Sequence, residues 1–478
     1  MFVRAALSYV AMNVELALKS STIEKLVAEL REAVGSDAVA TSDALREQHG
    51  GGETYHPVAP PDIVVFPSST DDVVQIVKRC AAHGAPIVPH GAGTSLEGHL
   101  AALYGGVSID LTRMNRVLAV NVADLDVTVE AGITRKQLED RLARDGLFFP
   151  VDPGADATIG GMASTRATGT TTVRYGGMRE NVISLTVVTA TGEVVRTASR
   201  ARKSAAGYDL TRLFVGSEGT LGIITEATLR AHGIPDAMAA AVSAFPSVEA
   251  AVECAMQVMQ FAIPVARMEL MDDVQMAAIN ELSNLSCAVS PTIFFEFHGS
   301  ASAVEEHARE VGEIAAELGA DDFVWSTDQE ERTRLWEARH MAWYAALAMR
   351  PGSKGLATDV CVPISQLAAS IHAVRADIDE SGLTATIVGH VGDGNFHVVF
   401  LIDPDDPDEL ALAQEVNERM LRDALAREGT CTGEHGVGYG KIAILELEHG
   451  PAGIALMRAV KDALDPAGIM NPGKVLPH

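Results

Sequence analysis

Glycine-rich segments at residues 89–99, 152–165 and 215–225 constrain this chain more than any other feature. The first reads Pro89-His90-Gly91-Ala92-Gly93-Thr94-Ser95-Leu96-Glu97-Gly98-His99. The second runs Asp152-Pro153-Gly154-Ala155-Asp156-Ala157-Thr158-Ile159-Gly160-Gly161-Met162-Ala163-Ser164-Thr165, and the third Val215-Gly216-Ser217-Glu218-Gly219-Thr220-Leu221-Gly222-Ile223-Ile224-Thr225. Glycine lets a backbone approach a diphosphate closely, and small hydroxyl residues beside it donate hydrogen bonds to phosphate oxygens. Any one such loop is ordinarily just a turn between strands. Two common nucleotide sites are disfavoured or excluded: no G-x-G-x-x-G follows an N-terminal strand with an acidic residue about 20 positions on, and none of these loops contains G-K-[ST].

Around the loops, short strands and helices alternate. Ser21-Thr22-Ile23-Glu24 has capping-box spacing, and Ile23, Leu26, Val27, Leu30 and Val34 follow at helical spacing, which predicts an amphipathic helix. Runs at 63–66 and 87–89 predict strands, with a helix opening near Thr70 between them. Residues 106–110 and 117–129 read as further strands, and 135–145 as a helix. Past Ala240, strand-like runs at 241–245, 292–297, 323–325, 358–362, 384–390 and 397–402 alternate with helical patterns such as 248–261 and 303–318. That order suits an antiparallel sheet covered by helices on one face, as in ferredoxin-like units. The fold class is α+β, with a domain boundary near Gly233-Ile234-Pro235.

Together and in this order, the three loops resemble the FAD-binding domain of flavoproteins of the vanillyl-alcohol-oxidase, or PCMH, type, over roughly residues 60–235. The resemblance implies that Gly91, Ala92, Gly93, Thr94 and Ser95 wrap the pyrophosphate with His90 beside them. It implies that Pro153, Gly154, Thr158, Gly160, Gly161, Ser164 and Thr165 line the cofactor, and that Glu218, Gly222 and Ile223 contact its adenosine end. Neither His90 nor His99 sits in a covalent-linkage motif, so the FAD is expected to be non-covalent. The implied plan is a helical lead-in (1–58), a two-subdomain PCMH-type FAD-binding domain (59–236), a ferredoxin-like α+β cap or substrate domain (237–440), and a C-terminal helical segment (441–478) packing back on the FAD domain.

The second half carries Gly389-His390-Val391-Gly392-Asp393-Gly394-Asn395-Phe396-His397, two histidines around a turn between strands, and later Thr432-Gly433-Glu434-His435-Gly436-Val437-Gly438. Two histidines and a carboxylate suit a divalent metal with positions left open for a substrate, and His435 beside the glutamate suits proton transfer. Histidines around a turn are, however, more often solvated loop residues. Both motifs, in this order, resemble those of the 2-hydroxy-acid dehydrogenase branch of the same flavoproteins. That resemblance implies His390, His397 and Glu434 as ligands of zinc or manganese and His435 as general base. It also implies that Arg339, on a helix read over 335–347, forks onto a substrate carboxylate.

Arg339-His340 with Ala342-Trp343-Tyr344-Ala345-Ala346-Leu347, followed by Thr358-Asp359-Val360-Cys361-Val362-Pro363, resembles the cytochrome-type D-lactate dehydrogenases. D-2-hydroxyglutarate dehydrogenases keep a threonine, a lysine and an asparagine where this chain has Trp343, Ala357 and Val399. The expected reaction is oxidation of D-lactate or a similar D-2-hydroxy monocarboxylate to the 2-keto acid. Glycolate, D-2-hydroxyglutarate and a non-catalytic FAD-carrying subunit are the alternatives. The closing Met470-Asn471-Pro472-Gly473-Lys474 is given no catalytic role.

With 64 acidic against 37 basic residues, a net charge of −27 disfavours nucleic acid and anionic lipid as partners. No apolar run reaches the roughly 20 residues of a membrane span. The sequence has no C-x-x-C-H haem site or iron–sulfur spacing, so reduced flavin needs an external acceptor: a quinone, a cytochrome, an electron-transfer flavoprotein or oxygen. A homodimer is left open. The five cysteines are scattered without paired spacing, which fits a reducing compartment. Residues 1–18 carry a single arginine and lack the composition of a transit peptide. The expected location is cytoplasmic, with peripheral docking at the inner membrane left open.

Overall fold

The computed structural model describes residues 18–283 and 287–477, so the opening stretch read for a targeting signal lies, up to residue 17, outside the described residues. The chain forms two compact units. Of the described residues, the first takes 18–167, 177–233 and 434–477, and the second takes 168–176, 234–283 and 287–433. The chain thus crosses between them at 167/168, 176/177, 233/234 and 433/434, where the sequence suggested boundaries at 236/237 and 440/441. The segment bearing Glu434 and His435 belongs to the first unit.

In the first unit, strands Ile63–Val65, Val107–Asp110 and Ile87–His90 lie side by side in parallel, with Val39–Ala40 antiparallel at the edge. A second, antiparallel sheet runs Val117–Asn121, Asp126–Glu130, Ile223–Arg230, Val182–Val188 and Val194–Arg196. Helix Thr70–His83 follows from its sequence: the Ser69 side chain caps it by accepting the Asp72 N–H at 3.1 Å, and Gly84, left-handed at φ 61°, ends it. The capping box expected at 21–24 is not formed, because helix Ser20–Val34 starts earlier, with Lys19 as its N-cap and no side-chain cap. Its Leu26 and Leu30 enter the same core as Val73, Ile76 and Val77. The lead-in is part of the flavin-side core.

The C-terminal helix Ile442–Leu464 is broken at Gly450, φ 67°, just before Pro451. The tail then returns to the parallel sheet. The Ile87 N–H donates to Ile469 O at 2.8 Å, and the Asn471 N–H donates to Ile87 O at 2.8 Å.

The second unit is built on one antiparallel sheet, in the order Asp321–Ser326, Ala237–Ala244, Thr292–Gly299, Val265–Met271, Ala385–His390, Asn395–Ile402, Lys354–Ala357, with Val360–Cys361 also on the penultimate strand. The strand Val265–Met271 was not read from the sequence. Its residues alternate Arg267 and Glu269 with apolar ones, yet most of them are buried, and that mixture lacks the β-branched run of an obvious strand. Helices cover both faces of this sheet rather than the one expected. Phe294 packs on Trp336 of helix Gln329–His340. Its neighbour Phe295, pointing the opposite way, packs on Phe323, which lies against Gly312 of helix Ala301–Glu317. The single helix expected over 335–347 is two, Gln329–His340 and Ala342–Met349, parted at Met341.

Full burial of a leucine side chain contributes about 1.5–3 kcal/mol, and truncation adds the cost of the cavity left behind. Leu30 is 0% exposed. Leu30→Ala is therefore expected to lower stability by about 2–5 kcal/mol in urea melts; a midpoint unchanged from wild type would detach this helix from the core.

Candidate functional site

The three glycine loops, remote in sequence, touch one another pairwise. A Cβ on Gly91 would lie 2.3 Å from Thr158 Oγ1, which puts the first loop against the second. Gly216 N–H donates to Ala163 O and Glu218 N–H to Ser164 O, both at 2.9 Å, joining second to third. A Cβ on Gly219 would sit 2.8 Å from Pro89, which closes the triangle. The first loop leaves the C-terminal end of a parallel strand, the usual place for ligand loops in parallel sheets. Glycine at 91, 216 and 219 is what lets the three loops approach one another, and glycine-rich backbone gathered in this way fits a dinucleotide pyrophosphate.

The individual residues divide. Gly91 to Ser95 and Pro153 to Thr165 contribute to this cluster of loops. His90 ends strand Ile87–His90 paired with Asp110, and its ring lies tilted against His49 with centroids 4.4 Å apart; His49 Nε2 is 2.8 Å from Asp110 Oδ2. Burial drives His90 down to about 4, with His49 adding to the effect and Asp110 opposing it, so this ring is neutral at physiological pH. Gly222 and Ile223 serve packing. A Cβ on Gly222 would meet Val187 at 2.7 Å, and the Ile223 side chain lies in the core.

Glu218, expected at the adenosine end, has its carboxylate engaged within the first unit. Oε1 accepts the Val437 N–H at 2.7 Å and Oε2 the Gly438 N–H at 2.8 Å, with His99 Nε2 3.1 Å away. Burial pushes this carboxyl up, but His99 and the two N–H groups outweigh that and hold it below the ordinary range. Glu97 does the same three residues on. It is buried beside Lys441 Nζ at 3.2 Å, and its backbone O accepts the Tyr439 N–H at 3.1 Å. Burial raises the Glu97 carboxyl, yet Lys441, His56 and His435 bring it down to about 2. The tail given no role in the sequence also fastens here: Asn471 Nδ2 donates to Glu218 O at 2.8 Å and Lys474 Nζ to Ala101 O at 2.7 Å.

In the second unit, His390 and His397 occupy a hairpin in which His390 pairs with Asn395 and Val388 with His397. Paired residues, and residues two apart on one strand, share a face, so both imidazoles project the same way, with ring centres 5.4 Å apart. The unread strand puts Glu269 opposite His390. Glu269 Oε1 lies 2.6 Å from His390 Nδ1, and Oε2 accepts Arg339 Nη2 and Nε at 2.7 and 3.1 Å. Burial pushes Glu269 up, but His390 and Arg339 hold it below the ordinary range. The Thr358 carbonyl, which can only accept, lies 2.9 Å from His397 Nδ1. Both rings therefore carry hydrogen on Nδ1, with a carboxylate or carbonyl behind them, and Nε2 is the atom that would meet a metal. That donor set fits a divalent ion.

The Arg339 guanidinium gives Nε and Nη2 to Glu269, a wholly buried carboxylate that must be matched by a cation. For Glu434, chain connectivity is informative. A Cβ on Gly433 would lie 2.3 Å from Asn395 Nδ2, and Asn395 is tied to the buried Asp359 at 2.8 Å. The next Cα, that of Glu434, follows at about 3.8 Å. The three apolar positions lie along one face of the sheet: Val399 is two residues on from His397, Ala357 pairs with Val399, and two residues before Ala357 a Cβ on Gly355 would be 2.4 Å from the Trp343 ring.

Residues 61–198 match the family model described as FAD binding domain, and residues 234–475 match FAD linked oxidases, C-terminal domain. "Probable D-lactate dehydrogenase, mitochondrial" of Danio rerio is 52% identical, over 96% of this chain and 93% of the relative. "D-lactate dehydrogenase [cytochrome], mitochondrial" of Arabidopsis thaliana is 46% identical, over 95% and 80% respectively. The solved structure of p-cresol methylhydroxylase with substrate bound aligns with a TM-score of 0.76 at 18% identity, over 96% of this chain and 97% of that one, and shares the fold. The mitochondrial relatives overturn the cytoplasmic location expected from the sequence. The five cysteines are free, but free thiols report a redox state and not an address. No helix among the described residues is long and apolar enough to cross a membrane.

Two outcomes follow from these geometries. Glu269→Gln is expected to weaken binding of zinc or manganese about 10–100-fold, measured by competition with a chromophoric chelator; unchanged affinity would separate Glu269 from the histidine pair. The depressed Glu97 carboxyl contributes stability that is complete above its ordinary value of 4.5 and is lost as pH falls toward about 2. Melting temperatures of wild type and Glu97→Gln should therefore converge across that window, and a gap that persists at its acid end would contradict the assignment.

Proposed function

The chain belongs to the FAD-linked oxidases, and we propose that it oxidises D-lactate, or a similar D-2-hydroxy monocarboxylate, to the 2-keto acid. The observation that carries this reading is the apolar sheet face that runs from His397 through Val399 and its partner Ala357 to Gly355 under the Trp343 ring. A second carboxylate buried there would lack partners, at a cost of several kcal/mol, whereas a methyl tail asks for none.

FAD, held non-covalently by the three loops, supplies the hydride acceptor at N5 when bound. His390, His397 and Glu434 would hold a zinc or manganese ion, which when bound supplies Lewis acidity to the carboxylate and hydroxyl oxygens of the substrate. Glu269, braced by Arg339, keeps His390 in its Nδ1–H form. Thr358 does so for His397 through its carbonyl. His435 accepts the hydroxyl proton as general base while hydride leaves C2. Electrons then pass to an external acceptor: a quinone, a cytochrome or an electron-transfer flavoprotein.

Anaerobic mixing of the FAD-loaded protein with substrates tests the reading. D-lactate is expected to bleach the flavin, L-lactate and D-2-hydroxyglutarate to leave it yellow, and a chelator to abolish the bleaching. Faster bleaching by D-2-hydroxyglutarate would defeat the tail assignment. His435→Ala is expected to keep FAD and metal while slowing bleaching about 10²–10⁴-fold; a near-normal rate would remove His435 from the mechanism.

A further inference from the structure

Glu218 is built for a task that nucleotide binding does not require. It is not glycine, yet its backbone is left-handed at φ 52°, between Gly216 at φ 86° and Gly219 at φ 72°. L side chains avoid that region, and such strain persists only where the surroundings over-determine it. Here the carboxylate supplies the determination. It is buried, and its two oxygens separately accept the N–H groups of Val437 and Gly438, with His99 3.1 Å from Oε2. Gly436 passes so close that a Cβ there would be 2.7 Å from Glu218 Oε1, and one on Gly438 would be 1.9 Å from Glu97 O. The far end of this segment is fastened by the Lys441–Glu97 ion pair and by the Tyr439 N–H on Glu97 O.

The residue before Gly436 is His435. With the N–H groups two and three positions beyond it fixed by charge-assisted bonds, few backbone paths remain for His435 itself. We propose that Glu218 is a positioning residue for the reaction, holding the 436–438 backbone and thereby the place of His435, with Glu97 fastening the other end. This rests on His435 acting as base in the reading above. In this role the Glu218 carboxylate acts through the backbone it grips.

A double-mutant cycle on the FAD-loaded protein tests this, with wild type, Glu218→Gln, His435→Ala and the double variant compared by anaerobic flavin bleaching with D-lactate. FAD content and reoxidation of dithionite-reduced flavin by dichlorophenolindophenol are read in parallel. The glutamine keeps one accepting oxygen but turns an amide toward the second N–H, so the grip loosens without a cavity. Glu218→Gln is expected to keep full FAD and normal reoxidation, to lose about 10²-fold in bleaching rate with KM for D-lactate little changed, and to slow His435→Ala no further. Glu218→Asp, which retains the charge, is expected to recover part of the rate. Loss of FAD in Glu218→Gln, an undiminished rate, or the same fold-loss on the His435→Ala background as on wild type would each overturn the proposal. His435→Ala at near-normal rate would instead sink the base assignment, and with it the reason for the grip. Should Glu218→Gln not fold, Glu97→Gln loosens the other end of the same segment and is read by the same cycle.

Discussion

A carboxylate without water around it must be matched by fixed donors, and the chemistry-bearing parts of this protein are arranged around that requirement. Glu97, Asp110, Glu218, Glu269 and Asp359 are all buried. Each is met by a cation, an imidazole, an amide or backbone N–H groups within its own unit. Stranding any one of these charges would cost several kcal/mol, so each pair fixes geometry as well as offsetting its burial. The orientation of His390 depends on Glu269, and Glu269 depends in turn on Arg339. In a chain of net charge −27, the acids that matter are the few that solvent does not reach.

Those same pairs divide what the sequence discloses from what it withholds. Glycine loops are legible because the residue type itself carries the constraint, and the histidine hairpin because its turn and two strands are local. The contacts of Glu269 are not local. It sits on a strand whose composition hides it, 121 positions from His390 and 70 from Arg339. An arginine on a helix discloses its charge, but not that a buried glutamate will claim it. Glu218 stands in a legible glycine loop, but the two N–H groups its carboxylate accepts lie more than two hundred residues further on. The sheet face covered by each helix and the break at Met341 are likewise products of packing.

The apolar positions are an intermediate case. Trp343, Ala357 and Val399 are apolar, which the sequence shows one position at a time. That Ala357 and Val399 are cross-strand partners, with Trp343 laid over Gly355 on the same face, is what turns three separate residues into one surface.

The return of the tail to Ile87 has a consequence for synthesis. The parallel sheet of the first unit is finished by Met470, near the other end of the chain, whereas the second unit's main segment is one unbroken stretch, 234–433. At about 5–20 residues per second, the ribosome needs roughly 10–40 s to make that stretch. Throughout that interval the glycine loops exist without the residues that lock them. The second unit's main segment is thus available to fold while the ribosome is still at work, but the first unit's parallel sheet closes only once the residues up to Met470 have followed it out.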